Sequence, residues 1–67
     1  MNKTNVLTMT ENAIVFDLYT KFGHSFKELN QSKLEFITDK QIKITVGHKR
    51  YAYIDVGSII RIDVMEG

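Results

Sequence analysis

The second half of this chain alternates between apolar and polar residues with a period of two. Most of its apolar residues stand at even-numbered positions: Leu34, Phe36, Ile42, Ile44, Val46, Ala52, Ile54, Val56, Ile60, Ile62 and Val64. Because successive side chains of a strand point to opposite faces of its sheet, this pattern predicts strands with one apolar face. The residue types agree, since β-branched and aromatic residues are enriched in strands. We therefore predict strands at 33–38, 41–46, 51–56 and 58–64.

The same alternation constrains the turns between these strands. Residues directly opposite each other in an antiparallel pair lie on one face, so each hairpin loop should hold an odd number of residues. The loops that satisfy this condition are 39–41, 48–50 and 57–59. The prediction is a four-stranded antiparallel meander over residues 33–64. In that meander Lys43 lies opposite Asp55, which in turn lies opposite Arg61.

The first third of the chain fits two different structures. In the first, residues 5–9 and 13–20 form a strand hairpin, and residues 25–28 form one short helical turn. In the second, an amphipathic helix at 9–22 packs on the sheet, which makes the fold α+β. The isoleucine, valine, phenylalanine, tyrosine and threonine residues of this segment favour the strand. The predicted fold class is therefore mainly β, a small barrel or sandwich built on the meander at 33–64, with α+β as the alternative.

The sequence YAYIDVGSIIRIDV at 51–64 joins two strands by a tight turn. It resembles the last strands of SH3-like and Sm-like barrels, and the resemblance implies a small barrel. Closure suits a short all-β chain because it removes open strand edges. The chain also resembles the β-sandwich RNA-binding subunits that assemble into tryptophan-responsive rings. Those subunits use paired basic residues on a strand, whereas KIT at 43–45 has one cation, Lys43.

The length of the chain limits how it can be stabilised. A domain of 67 residues buries only about 60% of the surface that its unfolded chain exposes. The absence of cysteine excludes disulfides and thiolate zinc sites. A well-packed core and oligomerisation are the remaining sources of stability. We therefore predict a single compact domain over residues 1–67 that forms a homo-oligomer.

Residues suited to catalysis or metal binding are isolated in the sequence. His24 and His48 lack the spacing of metal-binding motifs, and Ser25 next to His24 lacks the geometry of a nucleophile and its base. We therefore predict no enzymatic activity, no metal and no cofactor. No apolar run approaches the ~20 residues of a membrane helix, and the N-terminal residues lack the apolar core of a signal peptide. We expect no membrane contact and a cytoplasmic location.

Positive charge is concentrated in one segment of a nearly neutral chain. Residues 40–50 contain four cations and no acid, whereas the net charge of the whole chain is +1. Exposed tyrosines beside cations are typical of sheets that stack single-stranded bases. A nucleic-acid site at this hairpin would consist of His48, Lys49, Arg50, Tyr51 and Tyr53. In the predicted meander, however, Asp55 offsets two neighbouring cations, which favours an ordinary solvated turn.

Some apolar residues have no inward position in this pattern. Ile37 points outward on the same predicted face as Tyr51 and Tyr53, and these three are the predicted partner-binding residues. We predict a non-enzymatic small binding protein that acts through protein–protein contacts as an accessory, regulatory or inhibitor protein. Seven lysines against two arginines, with eight isoleucines, indicate an AT-rich bacterial or phage genome and a mobile-element setting. The alternative is a small β-barrel that binds RNA or single-stranded DNA through residues 48–53.

Overall fold

Six strands in two antiparallel sheets and one short helix make up the computed structural model, which describes residues 1–66. The helix is α1 (Lys3–Thr10), and the strands are β1 (Ala13–Thr20), β2 (Ser25–Leu29), β3 (Leu34–Thr38), β4 (Gln41–Gly47), β5 (Arg50–Asp55) and β6 (Ile59–Glu66). Short 3-10 turns occupy Gln31–Lys33 and Val56–Ser58. The strand orders are β2-β1-β6 and β3-β4-β5. The mainly β prediction is confirmed, and the two sheets are not closed into one barrel.

The predicted four-stranded meander over 33–64 is wrong in its last strand. β3, β4 and β5 form a three-stranded meander, whereas β6 pairs with β1 in the other sheet. The cause is the 3-10 turn Val56–Ser58, which redirects the chain. The Val56 amide donates to the Lys40 carbonyl at 2.9 Å, and the Lys21 amide donates to the Ser58 carbonyl at 2.8 Å. The turn is thereby attached to both sheets, and the chain leaves it as a strand of the other one.

The predicted three-residue loops between β3, β4 and β5 are also wrong. Phe36 lies opposite Ile42, and Thr38 lies opposite Gln41, so the turn between them contains two residues. A bulge between Phe36 and Thr38 adds one residue to β3. The extra residue brings the apolar residues of both strands back onto the same face, so a two-residue turn is compatible with the alternation. A second bulge, between Thr45 and Gly47, has the same effect in β4. It lies next to the two-residue turn that precedes Arg50–Asp55.

The first third of the chain mixes a confirmed strand with an unexpected helix. Residues 13–20 form β1 as predicted, which also rules out the alternative helix at 9–22. Residues 5–9, predicted as a strand, lie in α1 instead. A capping box begins this helix. The Asn5 amide donates to the Asn2 side chain at 2.8 Å, and the Asn2 amide donates to the Asn5 side chain. Residues 25–28, predicted as a helical turn, belong to β2.

One hydrophobic core joins both sheets to the helix. Its buried members are Val6, Phe16, Leu18, Leu29, Ile42, Ile44, Val56, Ile59 and Ile62. In β6 the predicted phase is wrong at one end, because Ile59 is buried while Ile60 is 62% exposed. The register shifts there, with Tyr19 opposite Arg61 but Thr20 opposite Ile59. Val46, predicted inward, is exposed because it occupies the bulge of β4.

Candidate functional site

The outer face of the β3-β4-β5 sheet carries both tyrosines of the basic hairpin. We call it the tyrosine face and define it by Glu35, Lys43, Thr45, Tyr51 and Tyr53. Cross-strand pairing places Lys43 between Glu35 and Tyr53, and Thr45 opposite Tyr51. Tyr51 is 48% exposed and Tyr53 is 57% exposed. The side chains that the alternation places outward are therefore available to a partner.

The charge of Lys43 is not offset in the way that the sequence suggested. Lys43 lies opposite Tyr53, and Asp55 lies opposite Gln41, because the bulge in β4 shifts the predicted register. The Lys43 Nζ atom lies 4.2 Å from the centroid of the Tyr51 ring, a cation–π contact. Within residues 1–66 the ion pairs join Lys3 to Asp39 and Arg61 to Asp63. Lys43 thus has no ion-pair partner among residues 1–66, and its ammonium group lies over an aromatic ring.

The hairpin tip holds a lysine in a backbone conformation that favours glycine. The turn consists of His48 and Lys49, closed by Gly47 opposite Arg50. Lys49 has a φ of 54°, in the left-handed region. That region costs a non-glycine residue roughly 1–2 kcal/mol. Such strained positions are enriched at binding and active sites. Lys49 therefore presents its charge at the tip at some expense in stability.

The predicted partner-binding residues Ile37, Tyr51 and Tyr53 do not form one cluster. All three are exposed, and Ile37 is 45% exposed at the bulge of β3. β3 and β5 flank β4 on opposite sides, so Ile37 lies two strand spacings, about 9–10 Å, from the tyrosine strand. Ile37 is thus separate from the two tyrosines.

Two strand edges form a second candidate surface, which the sequence pattern did not indicate. Among residues 1–66, β5 pairs only with β4 and β6 pairs only with β1, while β2 and β3 are the edge strands on the other side of each sheet. Each strand therefore presents one row of unpaired backbone N–H and C=O groups. β6 also carries the exposed side chains Ile60, Val64 and Met65. The adjacent pair Ile59 and Ile60 could have indicated this surface. Only one of two successive strand residues can face the core, so the other isoleucine must be exposed.

A third cluster lies on the outer face of the β2-β1-β6 sheet. The Arg61 guanidinium lies 4.1 Å from the centroid of the Tyr19 ring, and the Lys27 ammonium lies 5.4 Å from it. The Tyr19 hydroxyl, by hydrogen bonding, raises the pKa of Lys27 above its ordinary value. His24 and Ile60 line a shallow groove of about 360 Å³ beside this cluster. Here the charged groups are occupied by contacts within the chain.

Comparison with known proteins adds no further constraint. No protein family model, curated protein or solved structure matches the chain. Residues 1–66 contain no group of three or more side chains placed to hold a metal ion. In the same residues, no helix has the length and apolar character needed to span a bilayer. The tyrosine face and the two open edges are therefore the features from which function is inferred.

Proposed function

We propose that this chain is a non-enzymatic small binding protein that acts through protein–protein contacts, and that one of its partners is a second copy of itself. The observation that carries the proposal is the pair of open edges on β5 and β6. Natural sheet proteins usually cover or close such edges, because an unpaired edge is a template for another strand. An accessory, regulatory or inhibitor role, a bacterial or phage origin and a cytoplasmic location stay predictions from the sequence.

The two edges are complementary in sequence when aligned antiparallel. If Arg50 of one copy lies opposite Glu66 of the next, then Asp55 lies opposite Arg61, so both ends of the pairing join opposite charges. Between these ends, Ala52 and Ile54 face Val64 and Ile62, which lie on the core side of their sheets. On the outer side, Tyr51 meets Met65. A sulfur–aromatic contact of this kind is favourable.

The proposed pairing also extends the core of each copy. Ala52 and Ile54 are only partly buried, and Val64 is 38% exposed. A neighbouring strand across the gap between β5 and β6 would cover these side chains. This is the contribution that a 67-residue chain without disulfides needs from oligomerisation. The proposed fold is accordingly an SH3-like or Sm-like barrel that is open within one copy and bridged between copies.

Pairing β5 of one copy with β6 of the next is a head-to-tail contact. Each added copy still offers one free β5 edge and one free β6 edge. Such heterologous contacts continue until a ring closes or a filament forms. The charged ends of the interface fix the register, because a shift of one residue would turn the apolar side chains to the wrong face. A fixed register repeats one rotation at every contact, and we propose that this rotation closes the assembly into a ring.

A reciprocal charge exchange tests this register. We expect light scattering of the wild type to give a mass above the 7.8 kDa monomer at micromolar concentration. Arg50→Glu and Glu66→Arg alone should each shift the mass toward the monomer, because like charges then face each other across the interface. The double variant Arg50→Glu/Glu66→Arg should restore the assembly.

Neither residue takes part in an ion pair within residues 1–66, so the folded monomer should be little affected. Glu28→Arg is the matched control, since it reverses an exposed carboxylate on β2, which β1 separates from β6 and which belongs to a different sheet from β5. It should leave the mass unchanged. A wild type that stays monomeric at high micromolar concentration would refute the proposal, as would a double variant that fails to recover.

A further inference from the structure

We propose that the tyrosine face and the adjoining hairpin tip bind single-stranded nucleic acid. In this site Tyr53 stacks on a base, while Lys43 and Lys49 contact phosphates. The site does not depend on self-association, although it shares β5 with the open-edge interface, where the proposed register places Tyr51 opposite Met65 and Tyr53 opposite Asp63 of the next copy. Arg50 is excluded from it because the proposed assembly pairs Arg50 with Glu66 of the next copy.

The first support is the charge on this face. Neither Lys43 nor Lys49 has a carboxylate oxygen within 4.0 Å among residues 1–66. Asp55 lies opposite Gln41, at the end of the sheet away from the tip. Two acids share this side of the sheet, Glu35 opposite Lys43 and Asp55 two residues beyond Tyr53, and neither forms an ion pair with Lys43 or Lys49. The end of the face next to the tip is therefore positive, although the chain as a whole is almost neutral.

The second support is the different environment of the two tyrosines. The Tyr51 ring carries the Lys43 ammonium 4.2 Å from its centroid. The described residues place no cation over the Tyr53 ring, which is 57% exposed. A base can stack on any free aromatic face, whatever its sequence. Tyr53 is thus the stacking residue, and Tyr51 positions the lysine that meets the backbone.

The third support is the left-handed backbone of Lys49, with φ of 54°. Glycine adopts this conformation without steric cost, so a hairpin optimised for stability alone would have glycine here. The tip has lysine instead, which places an ammonium group beside the tyrosine face. A strained residue that carries the charge a ligand needs points to binding rather than to folding.

The same strain provides a test that separates binding from folding. Lys49→Gly removes the charge and also the steric strain of the left-handed backbone. The midpoint of thermal unfolding should therefore be equal to that of the wild type or higher. Binding of a labelled 20-nucleotide single strand should weaken, and the slope of log K against log salt should fall by roughly 0.7, the value for one phosphate contact. Fluorescence titrations between 20 and 150 mM salt, with RNA and with DNA, measure both quantities.

Tyr53→Ala should weaken binding by roughly 5- to 150-fold while leaving the salt slope unchanged, because stacking releases no counterion. Tyr53→Phe keeps the aromatic ring and should bind like the wild type. Lys40→Gly is the matched charge control, since Lys40 stands in the turn at the opposite end of the same sheet. It should leave both affinity and salt slope unchanged.

Three results would overturn the inference. One is the absence of single-strand binding at 20 mM salt, and another is an equal loss from Lys49→Gly and Lys40→Gly. The third is duplex DNA bound as tightly as the single strand, because paired bases are not free to stack on Tyr53. Light scattering of each variant reports assembly separately. A loss of binding at unchanged mass is therefore assigned to the tyrosine face itself.

Discussion

The outer faces of the two sheets carry similar residues, yet these residues are used in different ways. On the β2-β1-β6 sheet, Arg61 pairs with Asp63 at 3.3 Å and stacks on Tyr19. On the β3-β4-β5 sheet, the charge of Lys43 meets only an aromatic ring, and that of Lys49 meets no ion-pair partner within residues 1–66. Charges that are paired within the chain contribute to the fold, whereas unpaired charges beside exposed rings are available to a ligand.

The backbone shows the same contrast. Glu28 and Lys49 are the non-glycine residues with positive φ, at 56° and 54°. The Glu28 amide donates to the Asp17 carboxylate at 2.9 Å, which stabilises the irregular end of β2. No comparable side-chain contact supports Lys49 in the described part of the chain. One strained residue is therefore held by its own sheet, and the other stands at an exposed tip.

The largest expected effect tests whether the two sheets, different at their surfaces, fold as one unit. Phe16→Ala removes a side chain that is 1% exposed in the shared core. Such truncations cost about 3–5 kcal/mol, which is comparable to the roughly 3–10 kcal/mol expected for a domain of this size. Urea unfolding should show the far-ultraviolet signal and the tyrosine fluorescence lost together. Separate transitions would mean that part of the molecule unfolds independently of the rest.

Phe22→Ala is the control for this change. Phe22 is 67% exposed in the turn between β1 and β2. Its removal should change the free energy of unfolding by less than about 0.5 kcal/mol.

An intermediate effect is expected at Asp17, which faces two opposing influences. Its carboxylate accepts from the Glu28 amide, yet it lies directly opposite Asp63, a like charge. Asp17→Ala should cost about 1 kcal/mol through the lost hydrogen bond. Asp17→Asn keeps an acceptor and removes the repulsion, so it should be neutral or slightly stabilising. Glu35→Ala, on the tyrosine face, should be silent in the same denaturation experiment.

The smallest effect concerns the titration of Lys27. Because the Tyr19 hydroxyl raises the pKa of this lysine in the folded chain, its contribution to stability is complete below the unfolded pKa. That contribution is lost as the pH rises through the folded pKa. NMR should show Lys27 titrating at higher pH than it does in the Tyr19→Phe variant. An identical titration in the two proteins would contradict this contact.

The sequence predicted the strands of the second half because alternation is a local property of each segment. It failed where one extra residue enters a strand, at Ile37, Val46 and Ile60. Bulges leave the residue types unchanged but reset the register of everything beyond them. The predicted outward position of Tyr51 and Tyr53 is correct, since it depends only on the alternation of side chains within β5. The predicted pairing of Lys43 with Asp55 is wrong, since it depends on the register between two strands.

The short helix α1 was missed for a different reason. It is polar, and it attaches to the core through a single face that buries Val6 and Thr10. Its start is marked by two asparagines rather than by the serine or threonine with glutamate that is the commoner capping box. Helices this short obtain most of their stability from tertiary contacts, which no local pattern records.

The left-handed conformation of Lys49 has a consequence for anyone who engineers this protein. A variant library ranked by melting temperature would select glycine at positions 28 and 49, since both backbones favour it. At position 28 the exchange removes nothing from the tyrosine face. At position 49 it removes the ammonium group at the tip, so selection for heat resistance would erase the proposed ligand contact without leaving any trace in the fold.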